Sequence, residues 1–246
     1  MQIPLGWWTD LEVARRSGGQ VLLHGEAFVV RTPDNPGYYW GNYVLVPGEW
    51  AADTSRRFFA EQFPEAGHVA IGLLGAAQPA EWAPWPVEAN DVLGLGRPPE
   101  AVAVDGYTVR ALRGQDWRQA WRNEVQGQSQ DYGDFAWRRI ESRQRLVERG
   151  DGLFVGAFVG DELAADLGIV LCGSVARYQS VFTHPEHRGR GLASWLLSRA
   201  GTWAGQRGAQ RWVIIAEPDS DARRLYGRLG FSLVETAYQV ERVPTG

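Results

Sequence analysis

The sequence predicts an α/β protein with a mixed sheet, built as two successive domains. Short segments rich in β-branched and aromatic residues alternate along the chain with segments of helical periodicity. The length of 246 residues suits two domains of about 100 to 150 residues each. A glycine- and proline-rich stretch at 96–100 separates them. We therefore predict one domain over residues 1–104 and a second over residues 105–246.

The first domain is predicted to begin with a helix over residues 9–17. Thr9 is followed three residues later by Glu12, a spacing typical of the capping box at a helix start. Apolar alternation between clusters of turn-forming residues then predicts the remaining elements of this domain. They are strands at 27–31, 42–46, 68–73 and 92–95, and a helix at 54–63.

The second domain has a longer and more regular pattern, which predicts the order βααβββαβαββ. The three central strands form a meander joined by short turns that contain glycine. The predicted elements are a strand at 107–110, helices at 115–126 and 134–149, strands at 152–158, 164–171 and 176–183, a helix at 190–206, a strand at 211–216, a helix at 220–229 and closing strands at 231–242.

Composition excludes several classes of function. The formal net charge of -4 argues against a nucleic-acid partner held by phosphate contacts. No run of about 18 apolar residues and no basic leader segment is present, so we expect a cytoplasmic protein with no membrane partner. The single cysteine, Cys172, ends an apolar strand, and we expect it to be a buried, inert thiol. We therefore predict no metal site.

A glycine-rich turn joins the strand at 176–183 to the following helix. After His184, the turn runs from Arg188 through Gly189, Arg190 and Gly191 into Leu192 and Ala193. Glycines let the backbone approach a ligand closely, and the helix N-terminus presents free N–H groups with a partial positive charge. The pattern therefore suits an anion site to which both arginines add charge, but any tight strand-to-helix turn could carry the same residues, so the turn alone is a weak signal.

A second motif further along the chain favours the anion site over an ordinary strand-to-helix turn. Tyr226 lies 38 residues after Arg188, within the segment 219–231 that contains Leu-Tyr-Gly-Arg-Leu-Gly-Phe. In this order and spacing the two motifs resemble the GCN5-related N-acetyltransferase (GNAT) superfamily. The resemblance covers about 140 residues of the second domain. The strand and helix order from 27 to 95 looks like a shortened, degenerate copy of the same fold.

The resemblance implies acetyl-CoA as the acyl donor. Backbone N–H groups from Arg188 to Ala193 would hold its pyrophosphate, and the strands at 176–183 and 211–216 would separate to admit its pantetheine arm. An N–H near Phe182 would meet the thioester carbonyl. Val181, Phe182 and Thr183 would line the arm, and Asp219 stands where many members have an asparagine that bonds to it.

The same resemblance makes Tyr226 the candidate general acid, because a phenol within reach of the departing thiolate can protonate it. An ammonium of pKa about 10 must also lose a proton before it attacks, and Glu217 or His184 could accept it. Each has a structural alternative. Tyr226 would be a core residue of a helix that Gly230 ends, and the other two would be ordinary turn residues. Some members have a glutamate where this chain has Ile214.

We therefore expect direct transfer of an acetyl group to a primary amine of a small molecule or a peptide. The principal alternative is a non-catalytic acyl-CoA sensor or assembly module, and a nucleotide-binding module is a third. The first domain is predicted to shape the acceptor site or to mediate a homodimer. Its aromatic cluster of Tyr38, Tyr39, Trp40 and Tyr43 suits a core, a pocket or an interface.

Overall fold

The computed structural model describes residues 2–75, 79–126 and 130–242. Helices and strands alternate within these ranges, which confirms the predicted α/β class with mixed strand directions. The chain divides into two compact units. Unit 1 comprises residues 1–92, 216–218 and 234–246, and unit 2 comprises residues 93–215 and 219–233. The predicted boundary near residue 104 separates two successive copies of one fold. Because each packing unit combines segments from different parts of the chain, the units do not test this boundary, and it stays a prediction.

In unit 1, one helix packs on each face of the strands. Its helices and strands are α1 Leu5–Arg16, β1 Gln20–His24, β2 Ala27–Arg31, β3 Tyr43–Pro47, α2 Ala52–Gln62, β4 Val69–Leu74 and β5 Val87–Leu95, the last of which ends in unit 2. Strands β1, β2 and β3 are antiparallel neighbours, and β3 pairs with β4 in parallel. The core contains Val44, Ile71 and Phe59, all buried.

Of the four aromatic residues in the predicted cluster, Tyr43 is buried, and Tyr38, Tyr39 and Trp40 are half-buried. Trp7 and Tyr43 are buried, and their rings lie 6.2 Å apart. The Trp7 indole N–H donates to the backbone oxygen of Leu73 at 3.0 Å, which satisfies a polar group that burial would otherwise leave unpaired. Trp40 is half-buried and its indole donates to Glu241 at 2.8 Å. Burial therefore favours the core interpretation for Tyr43, against which Trp7 packs.

Unit 2 contains most of the elements predicted for the second domain. They are β6 Thr108–Ala111, α3 Asp116–Val125, α4 Gln130–Glu148, β7 Gly152–Val159, β8 Glu162–Cys172, β9 Val175–Thr183, α5 Leu192–Gly205, β10 Arg211–Ala216 and α6 Asp221–Arg228. The last strand, β11 Ser232–Arg242, begins in unit 2 and continues in unit 1. There, residues 238–242 pair antiparallel with β4.

The strands of unit 2 are covered by helices on both faces. β6, β7, β8 and β9 are antiparallel neighbours in that order. Helix α5 packs on one face, where the Tyr178 hydroxyl donates to the backbone oxygen of Leu197 at 2.8 Å. Helices α3 and α4 pack on the other face, where Trp117 contacts Phe154. Cys172 is buried at the end of β8. No helix in the described ranges is both long and apolar enough to span a bilayer.

The capping box predicted at Thr9 and Glu12 is wrong. Helix α1 begins at Leu5, and Pro4 occupies its N-cap position without a side-chain cap. Thr9 therefore lies inside the helix, where its hydroxyl donates to a backbone oxygen of the preceding turn, and Glu12 forms ion pairs with the two arginines that follow it. The earlier start places Trp7 in the core, and tertiary burial outweighs the local capping signal.

Two further differences concern strands. Strand β1 was not predicted because its residues are largely exposed and carry no alternation of burial. The closing strands expected at 231–242 are a single strand, β11. The observed order in this part of the chain is therefore βααβββαβαβ rather than βααβββαβαββ.

Candidate functional site

Strands β9 and β10 pair in parallel only where they begin. The register joins Arg211 to Val175 and ends where Val213 meets Arg177. Strand β9 continues for a further six residues to Thr183, and β10 continues to Ala216. Beyond Arg177, the two strands therefore separate, as the family resemblance implied. The half-buried side chains of Val181, Phe182 and Thr183 lie in this separated part of β9.

The same part of β9 contains a β-bulge in its ladder with β8. Between the pair Gly168–Gln179 and the pair Asp166–Phe182, β9 has one residue more than β8. Ser180 lies at this bulge with a φ of 49°, which is unusual for a residue other than glycine. The bulge changes the direction of the backbone amides just before Phe182, because an extra residue breaks the regular alternation of the ladder.

The glycine-rich turn forms the N-terminus of α5. Gly189 and Gly191 have φ values of 74° and 87°, which L side chains rarely adopt. A Cβ atom at Gly189 would meet nothing within 4 Å, so the space above this backbone is open. Gly191 is the N-cap of α5, no side chain caps the helix, and its first turn contains no acidic residue. The turn can therefore present N–H groups to an anion, with Leu192 buried and Ala193 half-buried behind it.

The two arginines of the turn bond to the protein in this structure. Arg188 Nε donates to the Thr183 backbone oxygen at 3.2 Å. Arg190 donates to the Tyr107 hydroxyl at 3.2 Å, and that hydroxyl lies 2.9 Å from His187 Nδ1. Both arginines are exposed, so their charge lies beside the open turn. Sequence reasoning did not identify Tyr107, and no motif marks it.

Tyr226 lies on α6, which begins at a Ser220 cap. The Ser220 hydroxyl accepts from the Arg223 N–H at 3.1 Å. Tyr226 is only 4% exposed, and burial raises the pKa of its phenol to about 12 while Arg177 acts in the opposite direction. The phenol therefore remains protonated at neutral pH and can donate a proton. Gly230 follows the helix with a φ of 93°, as expected of a left-handed cap.

The two candidate bases differ in their surroundings. His184 is half-buried directly after β9, and its Nδ1 is a buried atom without a hydrogen-bond partner. Its ring lies 5.9 Å from that of His187. Glu217 is exposed directly after β10. Asp219, also exposed, has a left-handed φ of 60°.

Sequence reasoning missed a buried polar cluster beneath the bulge. Arg143 of α4 donates to Ser180 Oγ at 2.8 Å and to Glu124 of α3 at 2.7 Å. Asp166 of β8 is buried nearby, and burial raises the pKa of its carboxyl to about 7. Two signals were available. Asp166 interrupts an otherwise apolar strand, and Arg143 follows the buried Ile140 by three residues on the inward face of α4.

Among residues 2–75, 79–126 and 130–242, no three histidine, cysteine, aspartate or glutamate side chains are grouped to hold a metal ion. The open turn, the separated strands and the bulge are instead consecutive features of one backbone segment, from Ser180 to Ala193. Their donors are backbone N–H groups, which suit a phosphate at the turn and a carbonyl oxygen at the bulge. The site therefore fits an acyl group carried on a long phosphorylated arm.

Comparison with protein families agrees with this geometry. Residues 111–231 match the family described as the acetyltransferase (GNAT) family. A search of curated protein sequences finds no match. The matched segment contains both the glycine-rich turn and Tyr226.

Solved structures share the fold over nearly the whole chain. A functionally unknown conserved protein from Staphylococcus epidermidis ATCC 12228 has a TM-score of 0.74 at 11% identity, covering 92% of this chain and 95% of its own. A GCN5-related N-acetyltransferase from Kribbella flavida has a TM-score of 0.65 at 15% identity, covering 95% and 96%. A tandem GNAT protein from the clavulanic acid biosynthesis pathway has a TM-score of 0.57 at 15% identity, covering 98% and 94%.

Identities this low show a shared fold and carry no information about substrates. The coverage nevertheless extends through both halves of the chain, which confirms the predicted fold class. The chain therefore carries a domain of the acetyltransferase (GNAT) family over residues 111–231, and its fold is that of a tandem GNAT protein.

Proposed function

We propose that this protein is an N-acyltransferase that moves an acetyl group from acetyl-CoA directly to a primary amine. The observation that carries the proposal is the combination of separated strands β9 and β10 with an open glycine turn at the N-terminus of α5. The acceptor is a small molecule or a peptide. Within the predicted range from Arg188 to Ala193, the Arg188 N–H donates to the Pro185 backbone oxygen at 3.3 Å, so the N–H groups from Gly189 to Ala193 bind the pyrophosphate. The exposed side chains of Arg188 and Arg190 raise the local positive potential.

The acyl end lies along the second half of β9 in this proposal. Val181, Phe182 and Thr183 flank the pantetheine arm, and an N–H near Phe182 donates to the thioester carbonyl oxygen. Such a donor stabilises the negative charge that develops on the oxygen when the amine nitrogen attacks the carbonyl carbon. Asp219 borders the arm where β10 leads into α6.

Two proton transfers complete the reaction. The carbon–sulfur bond breaks, and the sulfur takes up the proton of the Tyr226 hydroxyl, whose raised pKa keeps it protonated until then. Before its nitrogen attacks, the substrate ammonium loses a proton to His184 or Glu217, directly or through water. His184 and Glu217 directly follow β9 and β10, the two strands that separate, so both are candidates.

The acyl-CoA sensor remains the second candidate, and the burial of Tyr226 favours it. A tyrosine that is 4% exposed and packs 6.2 Å from Phe231 also suits a purely structural role. The two functions share the donor site and differ only in whether transfer follows binding. Acetyl-CoA binding therefore tests both, and replacement of Tyr226 separates them.

The first experiment is a calorimetric titration of acetyl-CoA into the full chain and into two glycine variants. Gly191→Trp fills the open turn, and we expect its affinity to fall roughly 100-fold or more from a micromolar value. Gly25→Trp is the matched control. Gly25 also has a positive φ, of 63°, and open space around it, but it lies in the β1–β2 turn of unit 1. Equal affinity in all three proteins, or no binding in the unmodified chain, would contradict the proposal.

A further inference from the structure

The bulge in β9 is a strained feature that something must hold in place. Ser180 has a φ of 49°, in a region that costs energy for any residue with a Cβ atom. The residue is exposed, so burial of its own side chain does not hold it. Strand β10 provides no ladder partner here, because its register with β9 ends at Arg177. Strand β8 pairs with β9 on both sides of the bulge, and a further contact comes from the α3 and α4 face of unit 2.

Arg143 provides a contact of that kind. It is 8% exposed, and its guanidinium lies 5.8 Å from the ring of Phe154. One nitrogen donates to Ser180 Oγ at 2.8 Å and another to a Glu124 oxygen at 2.7 Å. The planar fork of an arginine fixes both directions at once, which a flexible ammonium does not. The position of the Ser180 hydroxyl is thereby tied to helices α3 and α4.

The surrounding charges keep the guanidinium where it is. The second oxygen of Glu124 pairs with Arg139 at 2.9 Å, so both helices take part in the cluster. Asp166, 6% exposed on β8, is attracted to Arg143 and repelled by Glu124. Its strand partner is Phe182, immediately after the bulge. Without Arg143, the buried Asp166 would lose the cation that attracts it and would remain beside Glu124, which is unfavourable.

We infer that Arg143 is a positioning residue for acyl transfer, which holds Ser180 and the β9 bulge so that the N–H near Phe182 meets the thioester carbonyl. The inference rests on the proposed function, since it concerns the acyl end of the same site. Arg143 contacts Ser180, Glu124 and Phe154. It acts through the backbone, and the turn that binds the pyrophosphate lies outside its contacts.

The test measures the acyl end and the CoA end separately. Calorimetry gives the affinity for CoA, which lacks the acyl group. Carbon-13 NMR of acetyl-CoA labelled at the carbonyl reports the hydrogen bond, because a donor draws electron density from the carbonyl carbon and moves its resonance. In Arg143→Met we expect the change on binding to fall by roughly half or more. CoA affinity should stay within about two-fold, since the turn is not altered.

Two further variants keep the test independent of folding. Ser180→Ala removes only the hydroxyl and leaves the ion pair between Arg143 and Glu124 in place, so it should lower the carbonyl shift without unfolding the chain. Arg145→Met is the matched control, because Arg145 lies on the same helix and donates to a serine hydroxyl, that of Ser142, at 2.9 Å. Its carbonyl shift should equal that of the unmodified chain.

Three outcomes are decisive. Loss of the carbonyl shift in Arg143→Met and Ser180→Ala, with CoA affinity retained, supports the assignment. An unchanged shift in Ser180→Ala, with CoA bound normally, overturns it and leaves the proposed function intact. Failure of the unmodified chain to bind CoA would overturn the proposed function and this assignment together.

Discussion

The strand, turn and helix from β3 to α2 in unit 1 have the same order as those from β9 to α5 in unit 2, but the strand pairing differs. β3 pairs with β4 up to its last residue, where Pro47 meets Leu74. The ladder between β9 and β10 ends at Arg177, six residues before β9 itself ends. The β2–β3 ladder keeps a constant register, whereas the β8–β9 ladder contains the bulge. Of these two parallel strand pairs, β9 and β10 leave a cleft between them, and β3 and β4 do not.

The turns that follow β3 and β9 also differ in how well each could bind an anion. The turn after β3 carries Glu49 and the half-buried Trp50, whose ring packs against Phe58 at 5.6 Å. Helix α2 then begins with Asp53 in its first turn, so negative charge already occupies its N-terminus. Helix α5 has no acid there and two glycines in left-handed conformations before it. Element order alone does not make an anion site, since the turn residues decide it.

The largest expected effect is that of Tyr226→Phe. If unit 2 is catalytic, the transfer rate should fall about 100- to 10,000-fold, because the departing sulfur loses its proton donor. Acetyl-CoA affinity should stay within about two-fold, since the turn is not altered. Steady-state kinetics with a panel of primary amines and calorimetry give the two quantities.

The control for Tyr226→Phe is Tyr238→Phe, a half-buried tyrosine of β11 that pairs with Leu73 in unit 1. It should leave the rate unchanged. Equal rates in both variants and the unmodified chain would show that Tyr226 is structural, and would remove one distinction between the two segments.

The next largest effect is a change of stability with pH that comes from Asp166 of β8, the strand that pairs with β9 at the bulge. In unit 1 the corresponding residues, 27–30 of β2, are buried and apolar, whereas β8 buries Asp166 beside Arg143 and Glu124. Burial raises the pKa of Asp166 from 3.8 to about 7. Between these values the unfolded chain loses the proton and the folded chain keeps it. This carboxyl therefore lowers the free energy of unfolding as pH rises from about 4 to 7, by up to about 4 kcal/mol.

Urea unfolding at pH 4, 5.5 and 8 measures this contribution as the difference between the unmodified chain and Asp166→Asn. The variant should be the more stable protein at pH 8 and should lose the advantage at pH 4. Other carboxyls, such as those of Glu12 and Asp116 with lowered pKa values, affect both proteins equally and cancel. If the difference in unfolding free energy between the unmodified chain and Asp166→Asn did not change with pH, Asp166 would be ionised in the folded state.

The smallest effect concerns the charges of the two turns. Arg188→Gln should weaken acetyl-CoA binding about two- to five-fold at low salt, and less at high salt, because exposed charges are screened. Glu49→Gln in unit 1 should change nothing, and calorimetry should give one acetyl-CoA per chain in each protein. A stoichiometry of two would end the distinction between the units.

Local sequence patterns predicted some of these features and missed others. The strand at 211–216 was predicted with its observed bounds, because a run of apolar residues begins after a turn and ends before Pro218. The capping box at Thr9 failed although its pattern was correct, since burial of Trp7 starts the helix earlier. Asp166 and Arg143 were visible as charged residues at inward positions. Their pairing was not, because a sequence does not show which buried charge meets which.

The sequence by itself determined the alternation of helices and strands, the glycine turn before α5 and the spacing from Arg188 to Tyr226. These features depend on local backbone preferences and on short motifs. Only the tertiary structure decided that β9 separates from β10 after Arg177 and bulges at Ser180, that Arg143 contacts this bulge, and that residues 238–242 pair with β4. Strand register and buried ion pairs join residues far apart in the chain, so their energies depend on packing that no local pattern contains.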